Sequence, residues 1–178
     1  MRIKTWNVFG ALLVMLSLFG AVSHAQTISG RKPGYRGSIA VTDNLGVFVG
    51  AETSHGYLFD AHNYLGIGIG GFILPNGTGN PVFGNAFLDY RYYLKDKPGT
   101  LVLGVKSGYS HAFTYDKDSG VAFRNGILLE PTVGWCWGLK NGCGFSLGLG
   151  LTMIAPLGES RTDKKVLPLP KLAIGFEF

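Results

Sequence analysis

Gly144-Phe145-Ser146-Leu147-Gly148-Leu149-Gly150-Leu151-Thr152-Met153 alternates a small or polar residue with a bulky apolar one along its whole length. A β-strand sends successive side chains to opposite faces. Phe145, Leu147, Leu149, Leu151 and Met153 therefore share one side, and Gly144, Ser146, Gly148, Gly150 and Thr152 share the other. The stretch Leu101 to Phe113 is built alike, with Leu101, Leu103, Val105, Tyr109 and Phe113 opposite Val102, Gly104, Lys106, Gly108 and Ser110. A soluble sandwich would bury the bulky face and carry lysine and glutamate all along a wetted one. Here the second face holds glycine, serine and isolated charges. That suits the crowded lumen of a narrow barrel whose large residues point into lipid.

Working outward, the same kind of segment recurs eight times: Tyr35 to Asn44, Val47 to Phe59, Tyr64 to Leu74, Val82 to Leu94, Leu101 to Phe113, Ala122 to Leu139, Cys143 to Ala155 and Leu169 to Phe178. Each is ended by glycine, proline, asparagine or aspartate, and no stretch between them carries a helical period with caps. The expectation is an all-β fold, an eight-stranded antiparallel up-and-down transmembrane β-barrel. With 46% hydrophobic and 15% charged residues the chain is not a disordered one. Its 28 glycines keep no three-residue period, so it is not collagen-like either.

The one long apolar run, Val8 to Val22, is too short for a spanning helix. It follows Arg2 and Lys4 and precedes Ser23-His24-Ala25, a small-x-small cleavage site before Gln26. Residues 1–25 read as a secretory signal peptide, 26–33 as a short polar segment, and 34–178 as the barrel. No cysteine follows the cleavage site, so a lipoprotein is not indicated. Loss of Arg2 and Lys4 leaves 14 basic and 11 acidic residues. That small, dispersed excess argues against nucleic acid as a partner.

Connection lengths alternate. With the first strand running outward, Asp60 to Asn63, Lys95 to Thr100 and Lys140 to Gly142 are short inner turns, while Pro75 to Pro81, Thr114 to Val121 and Leu157 to Pro168 are longer outer loops. This is the outer-membrane arrangement, although the outer Leu45-Gly46 connection is also very short. The chain resembles the small eight-stranded outer-membrane barrels of the OmpA/OmpX-like kind, and in particular the outer membrane protein beta-barrel domains of Bacteroidetes-type genomes. The resemblance is carried by Gly34-Tyr35-Arg36-Gly37, Thr53-Ser54-His55-Gly56-Tyr57, Phe87-Leu88-Asp89-Tyr90-Arg91-Tyr92, Leu103 to Tyr109 and the ending Leu172-Ala173-Ile174-Gly175-Phe176-Glu177-Phe178. It implies a bacterial outer-membrane location, with outer-membrane lipid as surroundings. It further implies that Leu172, Ile174, Phe176 and Phe178 form the C-terminal signal read by the barrel-assembly machinery. It brings no activity with it, because such barrels include anchors, adhesins and lipid-modifying enzymes.

Gly66-Ile67-Gly68-Ile69-Gly70-Gly71 satisfies G-x-G-x-x-G, with Asp89 further along. A dinucleotide fingerprint must open a helix, whereas this run continues into Phe72-Ile73-Leu74 and a turn. Its glycines suit a tight lumen instead. Ser54 with His55, and Ser110 with His111, are chain neighbours and so point to opposite faces of a strand. Neither pair can form a nucleophile–base dyad within its strand, which leaves only a cross-strand pairing open. His55, Tyr57, Tyr109 and His111 read as side chains of the membrane interfaces. The histidines and cysteines lack metal spacing. No catalytic residue, cofactor or metal is expected.

A three-residue turn, Lys140-Asn141-Gly142, pairs Leu139 with Cys143, Trp137 with Phe145, Trp135 with Leu147 and Val133 with Leu149. In that register Cys136 faces the lumen and Cys143 faces outward, and the thiols stay free. A four-residue turn would bring them together, at the cost of placing Glu130 on the face of Leu147 unless a bulge intervenes.

Alternation sets Arg36, Glu52, Asp89, Arg91, Lys106, Glu130, Lys171 and Glu177 on the inner face, four basic and four acidic. Isolated buried charges are costly, so equal numbers in one narrow lumen suggest a paired network that closes it. Asp89 with Arg91, and Lys106 with Glu130, are the expected partners. The reading is a structural or surface-interaction protein whose external loops meet an envelope or extracellular ligand. A small-solute pore is the alternative, and a lipid A-modifying enzyme the second.

Overall fold

The structure, a computed structural model, describes residues 31–44, 48–73, 81–113, 123–139, 143–160 and 166–178. Eight strands follow in order: β1 (Gly34–Asn44), β2 (Phe48–Leu58), β3 (Asn63–Ile73), β4 (Val82–Tyr93), β5 (Gly99–Ala112), β6 (Phe123–Gly138), β7 (Gly144–Ser160) and β8 (Leu167–Glu177). Each pairs antiparallel with its sequence neighbours, and β8 closes on β1. All eight expected segments are strands. The expected signal peptide lies outside the described residues, as do the turn Lys140-Asn141-Gly142 and most of the outer loops.

The seam is covalently unremarkable but well bonded. Ser38 faces Glu177 and Asp43 faces Leu172, and Gly37 and Phe178 exchange N–H···O bonds of 2.8 and 2.9 Å. Starting at Gly34 and stepping along paired residues leads through Leu58, Tyr64, Arg91, Gly104, Thr132 and Gly150 to Lys171. Lys171 lies one place beyond the Asp43–Leu172 pair, abreast of Asn44, so the circuit climbs ten residues along β1. A stagger of that size tilts the strands steeply, by about 45°. An eleven-residue strand then still crosses a hydrocarbon core.

Period two decides the two surfaces. Outward residues are large and apolar, with Ile39, Ile67, Ile69, Leu88 and Leu149 more than half exposed. An apolar belt of this extent is a surface made for lipid or for a partner. Tyr35, Tyr57, Phe59, Tyr90, Tyr92 and Phe178 gather near the end where β1 starts and β8 stops, called here the lower end. Inward, the strands carry glycine where a neighbour's ring needs the space: a Cβ on Gly68 would sit 2.3 Å from the Phe87 ring.

Two boundaries differ from the sequence expectation. β7 runs on to Ser160 and β8 begins at Leu167, so Leu157 and Pro168 belong to strands and the last outer connection is shorter than expected. Near the top of β7 the register shifts between Phe123 and Asn125. Gly158, at φ 76°, supplies the left-handed residue of a bulge there. Above Leu172, β8 pairs with β7 alone among the described pairings. Pro168 and Pro170 sit on that one-sided stretch, where a missing N–H breaks no ladder. Gly158 and Pro168, expected within the outer connection, are accommodated inside the two strands.

Candidate functional site

The inward side chains form layers along the lumen. At the lower end Leu58, Tyr64, Tyr93 and Cys136 pack as one buried cluster, with Val102 against them. Next comes a charged group around Arg91. Its Nη2 meets Asp89 Oδ2 at 2.6 Å, its Nη1 meets Glu177 Oε1 at 3.0 Å, and Nη2 also donates to Ser38 Oγ at 2.7 Å. Its guanidinium lies 5.0 Å from the centre of the Tyr64 ring, whose hydroxyl bonds Ser54 Oγ at 2.9 Å. The Tyr93 hydroxyl donates to both oxygens of Glu177 at 3.1 Å, and Cys136 Sγ donates to Oε2 at 3.5 Å. Asp89 is 1% exposed, so its neutralisation by the planar fork of one arginine matters.

Above it stands a second group drawn from four strands. Lys171 Nζ bridges Glu52 Oε2 at 2.8 Å and Glu130 Oε1 at 2.7 Å. Lys106 Nζ bonds Glu52 Oε1 and lies 3.4 Å from Glu130 Oε1. Two ammonium groups and two carboxylates alternate in a ring with no net charge, and Lys106 also rests 5.2 Å from the Phe87 ring centre. Thr152 donates to the remaining Glu130 oxygen at 2.9 Å and accepts from Asn44 at 3.2 Å. A cavity of about 90 Å³ lies between and beside the two charged groups. It has room for only a few waters.

The top of the lumen is apolar. Phe72, Phe83, Phe87, Ala112, Leu128 and Ile154 form one buried cluster, with Phe48 packed on it. Phe72 and Phe83 stack at 4.6 Å between centroids, and Phe48 meets Phe72 edge-on at 5.1 Å.

Seven of the eight charged residues expected inside thus fall into these two groups, and Arg36 borders a smaller pocket at the lower end. Lys106 does face Glu130 across β5 and β6, and Asp89 does meet Arg91. The sequence reading did not find that Glu52 and Lys171 complete the upper ring or that Glu177 completes the lower group. Those partners sit on strands far apart in sequence and meet only through the stagger. It also missed the aromatic layer as a unit, although Phe72, Phe83 and Phe87 are all at inward positions of the period-two pattern.

The other sequence motifs resolve simply. Ser54 faces the lumen, while His55 is outside, its Nδ1 2.5 Å from the Tyr35 hydroxyl and its Nε2 3.1 Å from Thr53 Oγ1. The buried Ser110 hydroxyl has no hydrogen-bond partner among the described residues, and His111 Nδ1 lies 2.7 Å from Asn125 Oδ1 on the opposite face. Trp137 pairs Phe145, Trp135 pairs Leu147 and Leu139 donates to the Cys143 carbonyl at 2.6 Å, the register of the three-residue turn. Both thiols are free. Cys143 nevertheless borders the lower pocket along with Cys136.

The fold defines the class: a small closed barrel with an apolar outside and an inside lined by charged and apolar layers. Neisserial surface protein A has a crystal structure that superposes with a TM-score of 0.58 at 14% identity, over 82% of this chain and 94% of that one. The N-terminal β-barrel domain of Pseudomonas aeruginosa OprF aligns at 14% identity, TM-score 0.48, over 84% and 99% of the two chains. A de novo designed transmembrane β-barrel aligns at 17% identity, TM-score 0.48, over 84% and 98%. No family model matches the chain. Nor does any curated protein. In fold, then, this is a closed eight-stranded barrel like that of Neisserial surface protein A.

Proposed function

We propose that the protein is an integral outer-membrane barrel with a structural or surface-interaction role and a lumen closed to solutes. The observation that carries this reading is the filling of the lumen in four layers. They are the cluster of Leu58, Tyr64, Tyr93 and Cys136 at the lower end, Arg91 with two carboxylates, the four-membered ring around Glu130, and the aromatic cluster at the top. An eight-stranded barrel is about filled by its own side chains, and the small cavities left here support that. With wall and lumen committed to lipid and packing, the outer loops are the surface left for recognition. On this reading the lower end faces the periplasm, and Phe178 with Leu172, Ile174 and Phe176 serves the assembly machinery. The serine and histidine side chains described above point away from one another, which supports a non-enzymatic role.

The test is conductance. Purified, folded protein in a planar bilayer should give no steady channel under applied voltage. A reproducible open state, abolished or changed in selectivity by Glu130→Gln or Lys171→Met, would replace this reading with the pore.

A further inference from the structure

Arg31 precedes β1 by three residues, in the polar segment that has no periodicity of its own. Its backbone N–H donates to Asp96 Oδ1 at 2.5 Å. Its Nη1 donates to the carbonyls of Lys95 at 3.0 Å and Lys97 at 2.8 Å. The guanidinium lies 4.5 Å from the centre of the Tyr93 ring. All these partners belong to the end of β4 and the β4–β5 turn. In a closed circle of eight strands that turn stands opposite β1, so the chain crosses the lower mouth to reach it. A planar guanidinium suits this task, because its fork can serve two carbonyls while its face stacks on an aromatic ring.

Directly inside is a cavity of about 60 Å³, bordered by Arg31, Arg36, Tyr93, Lys97, Cys136 and Glu177. It holds the one buried thiol among the described residues, Cys136, at 2% exposure. We propose that Arg31 is a latch: it straps the segment before β1 across the lower mouth once the barrel has closed and seals this pocket from the aqueous side. The proposal deepens the closed-lumen reading and rests on it. The two can fail separately, since ion conduction tests the charged layers and thiol reactivity tests the mouth.

Cys136 is the built-in reporter. In a Cys143→Ser background, the folded barrel in mild detergent is treated with a small, charged methanethiosulfonate reagent. The Cys136 thiolate attacks the reagent's sulfenyl sulfur, a mixed disulfide forms and methanesulfinate leaves, so labelling is read by mass. Rates are taken only on protein that still runs as the compact unheated band. Labelling of a buried thiol follows the population of the opened form. With Arg31 intact it should be slow, and Arg31→Ala should raise it by about tenfold or more. Asp96→Ala should act in the same direction. Arg31→Lys should fall between, because an ammonium restores the charge without the fork or the stacking face. Cys136 labelling as fast with Arg31 intact as in heat-unfolded protein, or an unchanged rate in Arg31→Ala, would overturn the latch.

Discussion

Glu130 is buried, with one oxygen toward Lys171 and Lys106 and the other toward Thr152. Removing it leaves the Lys106 and Lys171 ammonium groups to share the one carboxylate of Glu52, and breaking a buried pair this way costs about 3–5 kcal/mol. Glu130→Ala should therefore lower the unfolding free energy of the detergent-folded barrel by that order, seen in urea as a lower midpoint. The double replacement of Glu130 and Lys171 by similarly sized apolar residues should recover part of the loss, which a double-mutant cycle would measure. Asp60, exposed in the β2–β3 turn, behaves differently. Its carboxylate accepts from the Asn63 side chain at 2.8 and 3.1 Å and from the His62 and Asn63 N–H groups at 2.7 Å. These bonds hold its pKa below the ordinary value, the Asn63 side chain contributing most. A depressed carboxylate stabilises the turn above its unfolded pKa and loses that contribution as pH falls through the folded one. Amide exchange at His62 and Asn63, corrected for intrinsic rates, should show protection at neutral pH that weakens below about pH 4, near the unperturbed aspartate pKa. Asp60→Asn should remove the pH dependence.

Strand by strand, the glycines divide by what surrounds them. On β3, a Cβ at Gly68 would press into the Phe87 ring at 2.3 Å and the Thr53 carbonyl at 2.6 Å. On β7, a Cβ at Gly148 would meet nothing closer than 3.8 Å. Gly68→Ala should destabilise by about 1–3 kcal/mol through overpacking, and it should disturb the layer holding Phe87 and Lys106. Gly148→Ala should be neutral or slightly stabilising, because alanine loses less backbone freedom on folding. Thermal unfolding of the two variants side by side decides this. The last strand offers a second contrast. The Phe178 ring covers Gly37 so closely that a Cβ there would lie 2.5 Å from it, while their backbones close the seam. Phe178→Asp should slow insertion into vesicles. A variant that inserted at the same rate would show that the ring matters neither to the seam nor to assembly.

For the whole molecule, closure predicts a compact band on an unheated denaturing gel that shifts on boiling. Recovery as a soluble monomer without detergent would contradict the lipid-facing belt. The eight strands and the inward set were legible in the sequence because a period of two assigns each side chain to a face before any partner is known. The pairing of Glu52 with Lys171 was not, because it depends on a ten-residue stagger that accumulates around the circle. Arg31 was hidden for another reason: a single arginine in an aperiodic segment reveals nothing until the turn it reaches is in place. The tops of β7 and β8 were misjudged because Gly158 and Pro168 fall in what reads as an outer loop, yet each occupies a position that can spare a ladder bond. That rim has a further consequence. Among the described pairings β8 outruns β1 above Leu172, and a bare edge invites a strand from a neighbouring copy. Pro168 and Pro170 lie on that stretch, where two missing donors would spoil such pairing. Crowded copies in one membrane could then jostle without zippering together, whereas Pro168→Thr with Pro170→Val should produce crosslinkable dimers as the protein is concentrated.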